Sequence, residues 1–355
     1  MVDYKKELEA LLDRLIAENG SDLHLSVGKP PIIRVSGFLI PFVNKQSLTA
    51  EDTESFMDAF LRPEDKKRFL ANKDIDFSYD HRGKARFRGN CFYQQGSIAI
   101  SLRLIPKRIK TIAELNLPHV LEYFTEKHQG FFLVVGPMGH GKSTTLASMI
   151  DLINQTRAEH IVTIEDPIEY VYEPKLSVIE QREVRIDALD FASALRSTFR
   201  QDANVILVGE MRDLETISNA IIASDTGHLV FSTLHTNSAS QTINRIIDVF
   251  PPSQQDQIRI QLASSLTGIF SQRLIPRISG GLVPAYELLI NNSAVANLIR
   301  EKRIHEINTV IETSSEQGMV DMNRSLADLV RRGEITPQNA YLHSLNPKIL
   351  EKLIK

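Results

Sequence analysis

The sequence predicts an α/β protein in which a small α+β domain precedes a larger domain built on a parallel sheet. Two patterns along the chain support this prediction. The first part contains strands, helices and then strands again, whereas short apolar runs alternate with helical stretches from about residue 121. A third observation is a glycine-rich, phosphate-binding pattern after one of those runs. We expect a small domain over 1–105, a linker over 106–120 and a large domain over 121–355.

The composition is that of an ordinary globular protein, with 42% hydrophobic and 24% charged residues among 355. A net charge of −3 gives the whole chain no electrostatic signature of nucleic-acid or membrane binding. Cys91 is the only cysteine, which excludes an intramolecular disulfide and a cysteine-rich zinc site. The sequence shows no signal-peptide pattern, and no apolar run approaches the ~20 residues that span a bilayer. We therefore expect a cytoplasmic protein whose membrane contact is peripheral.

The small domain is predicted to begin with a helix that Asp3 caps and Gly20 ends. Its apolar face consists of Leu8, Leu11, Leu12, Leu15 and Ile16. Strand-like runs follow in LHLSV and PIIRVSGFLIPF, and helices are expected from about Thr49 to Leu70. Three further strands are expected in DIDFSYD, ARFRGNCFY and SIAISLRLI, the last two joined as a hairpin by QQGS. The prolines and cations of PKRIKTIAELNLP predict the linker.

The large domain is predicted from four short apolar runs that alternate with helical stretches, which is typical of a buried, mainly parallel sheet. These runs are FFLVVG, HIVTIE, NVILVGE and HLVFST. After Pro276 one more strand, LVPAYELLI, precedes helical segments. Because such sheets bind ligands at the carboxyl ends of their strands, functional side chains are expected where these runs end.

The segment from Gly136 to Ser143 matches G-x-x-x-x-G-K-[ST], after an apolar strand and before the helical sequence STTLASMIDLIN. Its glycines let successive backbone N–H groups face an anion, and the helix N-terminus adds positive potential. Lys142 is expected to hold the β- and γ-phosphates of ATP, and Ser143 to ligate Mg²⁺. The His140 side chain is expected to point outwards. The predicted nucleotide-binding residues are Gly136, Pro137, Met138, Gly139, His140, Gly141, Lys142, Ser143 and Thr144.

Acidic side chains follow two later strands, where phosphoryl transfer requires a metal and an oriented nucleophile. Glu165 and Asp166 come directly after the strand in HIVTIEDPIEY. Glu210 follows VILVG, the position of a metal-site acid in a nucleotide hydrolase. The strand ends of an open α/β sheet share one crevice, so these three acids are expected to converge on the phosphate loop.

Two histidines flank the strand in GHLVFSTLHTN. His235 lies at its carboxyl end beside Thr233 and Thr236, where an imidazole and hydroxyls can sense the γ-phosphate. His228 lies at the other end of the strand, where a structural and a functional role are equally open.

Three arginines are predicted to share one face of the small domain. Alternation in ARFRGNCFY separates Arg86 and Arg88 from the apolar face, and alternation in SIAISLRLI does the same for Arg103. Like charges on a sheet face are unfavourable unless an anion or an acidic partner meets them. Two interpretations stay open: a solvated face, or arginine fingers that a neighbouring subunit supplies to a nucleotide.

Four of these segments resemble the Walker A, Asp box, Walker B and His box of the type II/type IV secretion ATPases. They are GPMGHGKSTTLA, TIEDPIEY, ILVGEMRDLETI and GHLVFSTLHT. The likeness is greatest to the type IV pilus retraction ATPases and extends over nearly the whole chain. It includes SDLHLSVGKPPIIRVSG, ARFRGN, LRLIP and AVANLIREKR.

The resemblance implies a PAS-like N-terminal domain, a RecA-like ATPase domain and a homohexameric ring that binds ATP between adjoining subunits. It implies that Mg²⁺ accompanies ATP and that hydrolysis powers pilus retraction. The implied partners are an inner-membrane platform protein, contacted peripherally from the cytoplasmic side, and an accessory retraction ATPase. Neither nucleic acid nor membrane insertion is expected. Whether the chain is the principal retraction motor or an accessory paralogue stays open.

The resemblance also assigns roles to residues. It gives Glu210 to the metal and water shell and Glu165 to activating water, although which glutamate is the base stays open. His235 would contact the γ-phosphate side. The arginines that would reach the nucleotide are Arg86, Arg88 and Arg103. The residues implied in retraction rather than in ATP binding are Asn297, Leu298, Ile299, Arg300 and Glu301.

Two positions depart from the family's motifs. His140 replaces the usual small residue of the phosphate loop, and Ala296 stands where the last motif has arginine. The extension ATPases of the superfamily usually carry a four-cysteine zinc site, which a chain with one cysteine cannot form. The sequence therefore favours retraction over extension.

Three other functions fit a phosphate loop. A nucleic-acid translocase needs a basic channel with aromatic residues, whereas this sequence has one KRIK cluster and no tryptophan. A metabolite kinase would leave the three arginines without a role, and no lid sequence is evident. A nucleotide-binding scaffold would not hydrolyse ATP at all, so replacing Glu165 or Glu210 would change no rate.

Overall fold

The computed structural model describes residues 3–35, 37–105 and 107–355. It divides into two compact units, and the division near Arg108 falls inside the segment expected to be a linker. The first unit also includes 167–171, which the chain contributes after the second unit has begun; the second comprises 109–166 and 172–355. No local sequence pattern indicates this excursion. Among the described residues, no helix is long and apolar enough to cross a bilayer.

The first unit contains helices on a sheet whose strands run in the order β3-β2-β1-β6-β5-β4, each antiparallel to its neighbour. Its helices are α1 (Tyr4–Ala17), α2 (Ala50–Phe60) and α3 (Pro63–Asn72). Its strands are β1 (Asp22–Leu25), β2 (Ile32–Val35), β3 (Phe38–Pro41), β4 (Asp74–His81), β5 (Ala85–Gln94) and β6 (Ser97–Ile105). The predicted α+β order and the predicted hairpin are present.

Local chemistry explains these elements. The Asp3 side chain accepts the Lys6 N–H and so caps α1, and Thr49 forms a reciprocal capping box at the start of α2. The β5–β6 hairpin turns at Gln95 and Gly96, whose φ angles are 47° and 77°. Left-handed backbone at both turn positions matches the twist of the paired strands.

The core of the first unit lies between its helices and sheet. It is formed by apolar side chains of α1, α2, α3 and the sheet, among them Leu8, Leu12, Phe56, Phe69 and Phe87. Cys91 on β5 is fully buried in this core, and its burial raises the pKa of the thiol to about 12.

The second unit contains a sheet whose strands run in the order β13-β12-β7-β11-β10-β8-β9. All neighbouring pairs are parallel except β12 and β13. The strands are β7 (Gly130–Val135), β8 (His160–Glu165), β9 (Val178–Glu183), β10 (Val205–Val208), β11 (Leu229–Leu234), β12 (Leu266–Pro276) and β13 (Leu282–Ile290). The predicted mainly parallel sheet is thus present.

Helices lie around this sheet. They are α4 (Val120–Thr125), α5 (Lys142–Thr156), α6 (Phe191–Thr198), α7 (Leu214–Asp225), α8 (Ala239–Asp248), α9 (Pro252–Ser265), α10 (Ser293–Arg300), α11 (Ile307–Thr313), α12 (Met322–Arg331), α13 (Pro337–His343) and α14 (Pro347–Ile354). Short 3₁₀ segments occur at Ile304–Glu306 and Ser315–Gln317. The apolar strands β7, β10 and β11 are buried along their whole length, as expected for the middle of a sheet covered on both faces.

Two strands of this sheet were not predicted. β9 has the sequence VIEQRE. Its charged residues suit a strand at the edge of a sheet, but they leave too few apolar residues for a strand to be predicted. β12 begins at Leu266, directly after α9 ends at Ser265, so no turn residue separates the helix from the strand. Both strands matter for the site, because side chains on them contact the phosphate loop and one of the predicted glutamates.

A buried carboxylate on β13 gives the second unit an unusual pH dependence. Glu287 is 6% exposed, and its Oε1 accepts the backbone N–H of Ala239 at 2.7 Å. Burial raises its pKa from 4.5 to about 7. Because the folded state holds this proton more tightly than the unfolded chain, the contribution of Glu287 to stability falls as pH rises from 4.5 to 7.

We expect Glu287→Gln to remove this loss, since the amide keeps an acceptor for Ala239 and carries no charge. The free energy of unfolding of the variant, relative to the parent, should rise by about 2 kcal/mol between roughly pH 5.5 and pH 8. Denaturant unfolding at several pH values measures this difference, with the exposed Glu312→Gln as control. A difference that stays constant with pH would contradict the expectation.

Candidate functional site

The order of the strands brings the predicted side chains to one edge of the sheet. β7 leads into the phosphate loop, β11 ends beside His235, β10 ends just before Glu210 and β8 ends at Glu165. These four strands are consecutive neighbours and parallel, so their carboxyl ends face the same side. The ends of these strands therefore lie together at one edge of the sheet of the second unit.

The phosphate loop connects β7 to α5 with a backbone that requires glycine. Gly136, Gly139 and Gly141 have φ angles of 146°, 77° and 81°. A Cβ on Gly136 would also overlap the carbonyl oxygen of Gln272 on β12. The first turn of α5 exposes Ser143, and Met138 at the tip of the loop is 84% exposed. The loop thus presents backbone and a hydroxyl to the outside, as an anion site at a helix N-terminus does.

Lys142 is folded back over the loop. Its side chain is buried, and Nζ donates to the carbonyl oxygens of Gly136 and Pro137 at 2.9 and 3.0 Å. Nζ also lies 3.3 Å from Nδ1 of His235. The ammonium is therefore held beside the loop, where phosphate oxygens can replace these carbonyl oxygens as its hydrogen-bond acceptors.

His235 and Glu210 continue this chain of contacts. The Nε2 atom of His235 lies 3.8 Å from Oε2 of Glu210. Burial and the Lys142 ammonium lower the pKa of His235, so the imidazole is neutral near neutral pH, with Nδ1 facing Lys142 as an acceptor. Glu210 also pairs with Arg212 at 2.6 Å. Arg212 was not singled out from the sequence, although it follows Glu210 by two residues.

Neighbouring side chains hold Glu165 in place. The hydroxyl of Thr163 donates to Oε1 of Glu165 at 2.7 Å, and Nε2 of Gln181 lies 3.2 Å from the same oxygen. Gly209, one residue before Glu210, lies against Glu165, since a Cβ on it would be 3.4 Å from the Glu165 Cα. Gln181 comes from the unpredicted strand β9, so the sequence offered no signal for it.

The other predicted polar residues have structural partners. Asp166 pairs with Arg185 at 3.1 Å. The hydroxyl of Thr233 donates to the Gly209 carbonyl at 2.6 Å, and that of Thr236 shares a hydrogen bond with Thr242 at 2.6 Å. The two hydroxyls near His235 therefore have partners within the protein, and their contact with a γ-phosphate stays a prediction.

His228 and His140 are placed differently from each other. His228 lies at the amino end of β11, with Nδ1 3.0 Å from the Ala223 carbonyl oxygen, at the opposite edge from the phosphate loop. His140 is half-buried, and its Nδ1 accepts the backbone N–H of Leu274 on β12 at 2.9 Å. The expectation that His140 points outwards is therefore wrong, because β12, which the sequence did not predict, supplies a donor for its ring.

The three arginines lie in the first unit. Arg88 and Arg103 are direct partners across β5 and β6, and each has a carboxylate: Arg88 lies 3.1 Å from Glu169 and Arg103 lies 2.9 Å from Asp22. These acids offset the repulsion between the two cations. A side-chain nitrogen of Arg86 lies 3.2 Å from the Ser78 hydroxyl. Of Arg88 and Arg103, the second is the more exposed, at 72% of its side chain.

The retraction motif implied by the resemblance lies in the second unit, on the last turn of α10 and at Glu301, which caps it. Leu298 and Ile299 are buried in the core, whereas Asn297, Arg300 and Glu301 are exposed. Arg300 donates to the Asn297 side chain at 2.8 Å. Ala296 is 8% exposed, so the helix packs closely where the family motif has arginine. The motif thus presents a small polar surface on an apolar anchor.

Comparison with known proteins places this arrangement in a family. The sequence pattern of the type II/IV secretion system proteins matches residues 85–333. The type IV pilus retraction ATPase PilT of Pseudomonas aeruginosa is 43% identical over 334 residues, which are 94% of this chain and 97% of that protein. A twitching motility protein of Neisseria gonorrhoeae is 44% identical over 317 residues, 89% of this chain and 84% of that one.

A solved structure is similar as well. The crystal structure of the pilus retraction motor PilT with bound ADP is 46% identical and superimposes with a TM-score of 0.90, covering 97% of this chain and 98% of that one. The fold class inferred from the sequence, and the family recognised from its motifs, are confirmed. The chain belongs to the type II/IV secretion system protein family.

Proposed function

We propose that this chain is an ATP-hydrolysing motor that works as a homohexameric ring and powers type IV pilus retraction. The observation that supports this most is the continuous contact from Lys142 through His235 to Glu210, which joins the phosphate loop to the end of β10. The names of its relatives, a pilus retraction ATPase and a twitching motility protein, agree with the proposal.

In this proposal, Mg²⁺ enters with ATP as part of the substrate. The Ser143 hydroxyl and the Glu210 carboxylate are oxygen donors of the kind that Mg²⁺ prefers, so they would hold the ion, which would neutralise phosphate charge when bound. Lys142 neutralises charge that develops on the transferred phosphoryl group. Glu165 orients and deprotonates the attacking water, since Thr163 and Gln181 fix the position of its carboxylate.

His235 links nucleotide state to the loops of the site. Bound phosphates would draw the Lys142 ammonium away from Nδ1 of His235. The imidazole, which also faces Glu210, would then have different partners. A local exchange of this kind can bias domain closure, which a ring converts into motion. The motion would act on an inner-membrane platform protein at the cytoplasmic face, with an accessory retraction ATPase as a second partner.

The arginines provide the test of the ring. We propose that Arg86, Arg88 and Arg103 reach the nucleotide of a neighbouring subunit, which would make hydrolysis depend on assembly. Arg103→Lys keeps a cation beside Asp22 but loses the planar fork, and Arg103→Ala loses both. We expect either variant to lower ATP turnover about 100-fold or more while hexamer formation and ADP affinity persist.

ATP turnover measured against protein concentration, with the mass of the assembly, checks this expectation. Turnover of the unmodified protein should rise as hexamers form, and the exposed Arg82→Ala in the same unit is the control. If a monomer hydrolyses ATP at the full rate and both Arg103 variants are silent, the arginines form a solvated face. A kinase or a scaffold would then explain the phosphate loop better than a motor.

A further inference from the structure

Strand β12 lies directly beside β7 in the sheet and contacts the phosphate loop at several points. Gln272, which is 3% exposed, bridges two parts of the nucleotide site. Its Nε2 donates to the backbone carbonyl of His140 at 2.9 Å, and its Oε1 accepts the hydroxyl of Thr145 on α5 at 2.6 Å. A single buried amide thus satisfies one group in the loop and one in the helix that follows it.

His140 makes a second connection to the same strand. Its Nδ1 accepts the N–H of Leu274, and since a backbone N–H can only donate, this nitrogen is unprotonated. The ring also packs against that of His343, with 6.3 Å between centroids, and Arg273 donates to the His343 carbonyl at 2.6 Å. The imidazole is therefore fixed between β12 and α13.

These contacts lie on one half of the loop. The tip of the loop is more open, since Met138 is 84% exposed and a Cβ added to Gly139 would meet no atom within 4 Å. A loop whose N–H groups must face a phosphate binds more tightly when it is ordered beforehand, because less conformational freedom is then lost on binding.

We propose that His140 and Gln272 are positioning residues that dock the phosphate loop onto β12 and so hold its backbone N–H groups ready for nucleotide phosphates. The side chain of His140 acts through its Nδ1 acceptor, and that of Gln272 acts through both ends of its amide. The proposal rests on nucleotide binding by this loop, which the proposed function requires.

Substitutions at His140 separate positioning from packing. His140→Asn places an oxygen near the position of Nδ1 and keeps an acceptor for the Leu274 N–H, whereas His140→Leu keeps apolar bulk without an acceptor. We expect the dissociation constant for a fluorescent ADP analogue to rise about fivefold to tenfold in His140→Leu and Gln272→Leu, the effect of losing one or two buried hydrogen bonds. His140→Asn should stay within about twofold of the parent.

The measurements use the full chain, well below the unfolding midpoint of each nucleotide-free variant. Exposed His305→Leu is the control. Leucine and asparagine at 140 giving the same affinity would overturn the proposal, as would affinity that follows only the unfolding midpoint. If His140→Leu does not fold, His140→Ala takes its place in the comparison with asparagine. Failure of the unmodified protein to bind the ADP analogue would instead overturn the proposed function.

Discussion

Lys142→Ala is expected to lower the steady-state rate of ATP hydrolysis by at least about 100-fold. The ammonium is buried beside the loop, where it contacts two carbonyl oxygens and the imidazole of His235. Alanine removes the cation that would meet the phosphates and also leaves His235 without its donor. Phosphate release assays on the purified chain measure the rate, and titration with an ADP analogue measures affinity.

The exposed Lys348→Ala provides the matched control, since it removes the same charge from the far end of the chain. Its turnover should equal that of the unmodified protein. Retention of more than about a tenth of the normal rate by Lys142→Ala would show that the loop does not use this ammonium in phosphoryl transfer.

The second large effect is expected from Glu165→Gln. Glutamine has the same shape and keeps an oxygen that can accept from Thr163 and Gln181, so the site should stay in place while the basic group is lost. We expect turnover to fall about 100- to 1000-fold, with the affinity for Mg²⁺·ATP changed by less than about twofold.

Glu210→Gln distinguishes the two glutamates. If Glu210 is a metal-shell residue, this variant should lose turnover and should also lose the dependence of nucleotide affinity on Mg²⁺. Glu180→Gln on β9, an exposed acid beside Gln181, is the control for both. The reverse pattern, in which Glu165→Gln alone alters the Mg²⁺ dependence, would exchange the two roles.

The parts of the site that lie in sequence motifs could be predicted. Each of these residues lies at or after the end of an apolar run whose strand character is unambiguous. They are the loop glycines, Lys142, Glu165, Glu210 and His235. Parallel pairing of those strands then brings their ends together, which is a general property of open α/β sheets. The helices and strands of the first unit could be predicted as well, because helix caps and alternating strands are local signals.

The residues that support the site could not be predicted, because their strands have weak patterns. β9 is a charged edge strand and β12 follows a helix without a turn, so Gln181 and Gln272 had no assigned structure. The same gap led to the wrong expectation for His140, whose partner is a backbone N–H on β12. The return of 167–171 to the first unit depends on tertiary contacts that no local pattern records.

The depth at which Cys91 is buried has a practical consequence for studying motion in this protein. A thiol with a pKa of about 12 and no exposed surface has almost no thiolate near neutral pH. Maleimide reagents are therefore expected not to react with it in the folded protein. A cysteine introduced at an exposed position in either unit would then be the one that takes up a dye. Distance changes between labelled units during ATP turnover are thus accessible to fluorescence without first replacing the native cysteine.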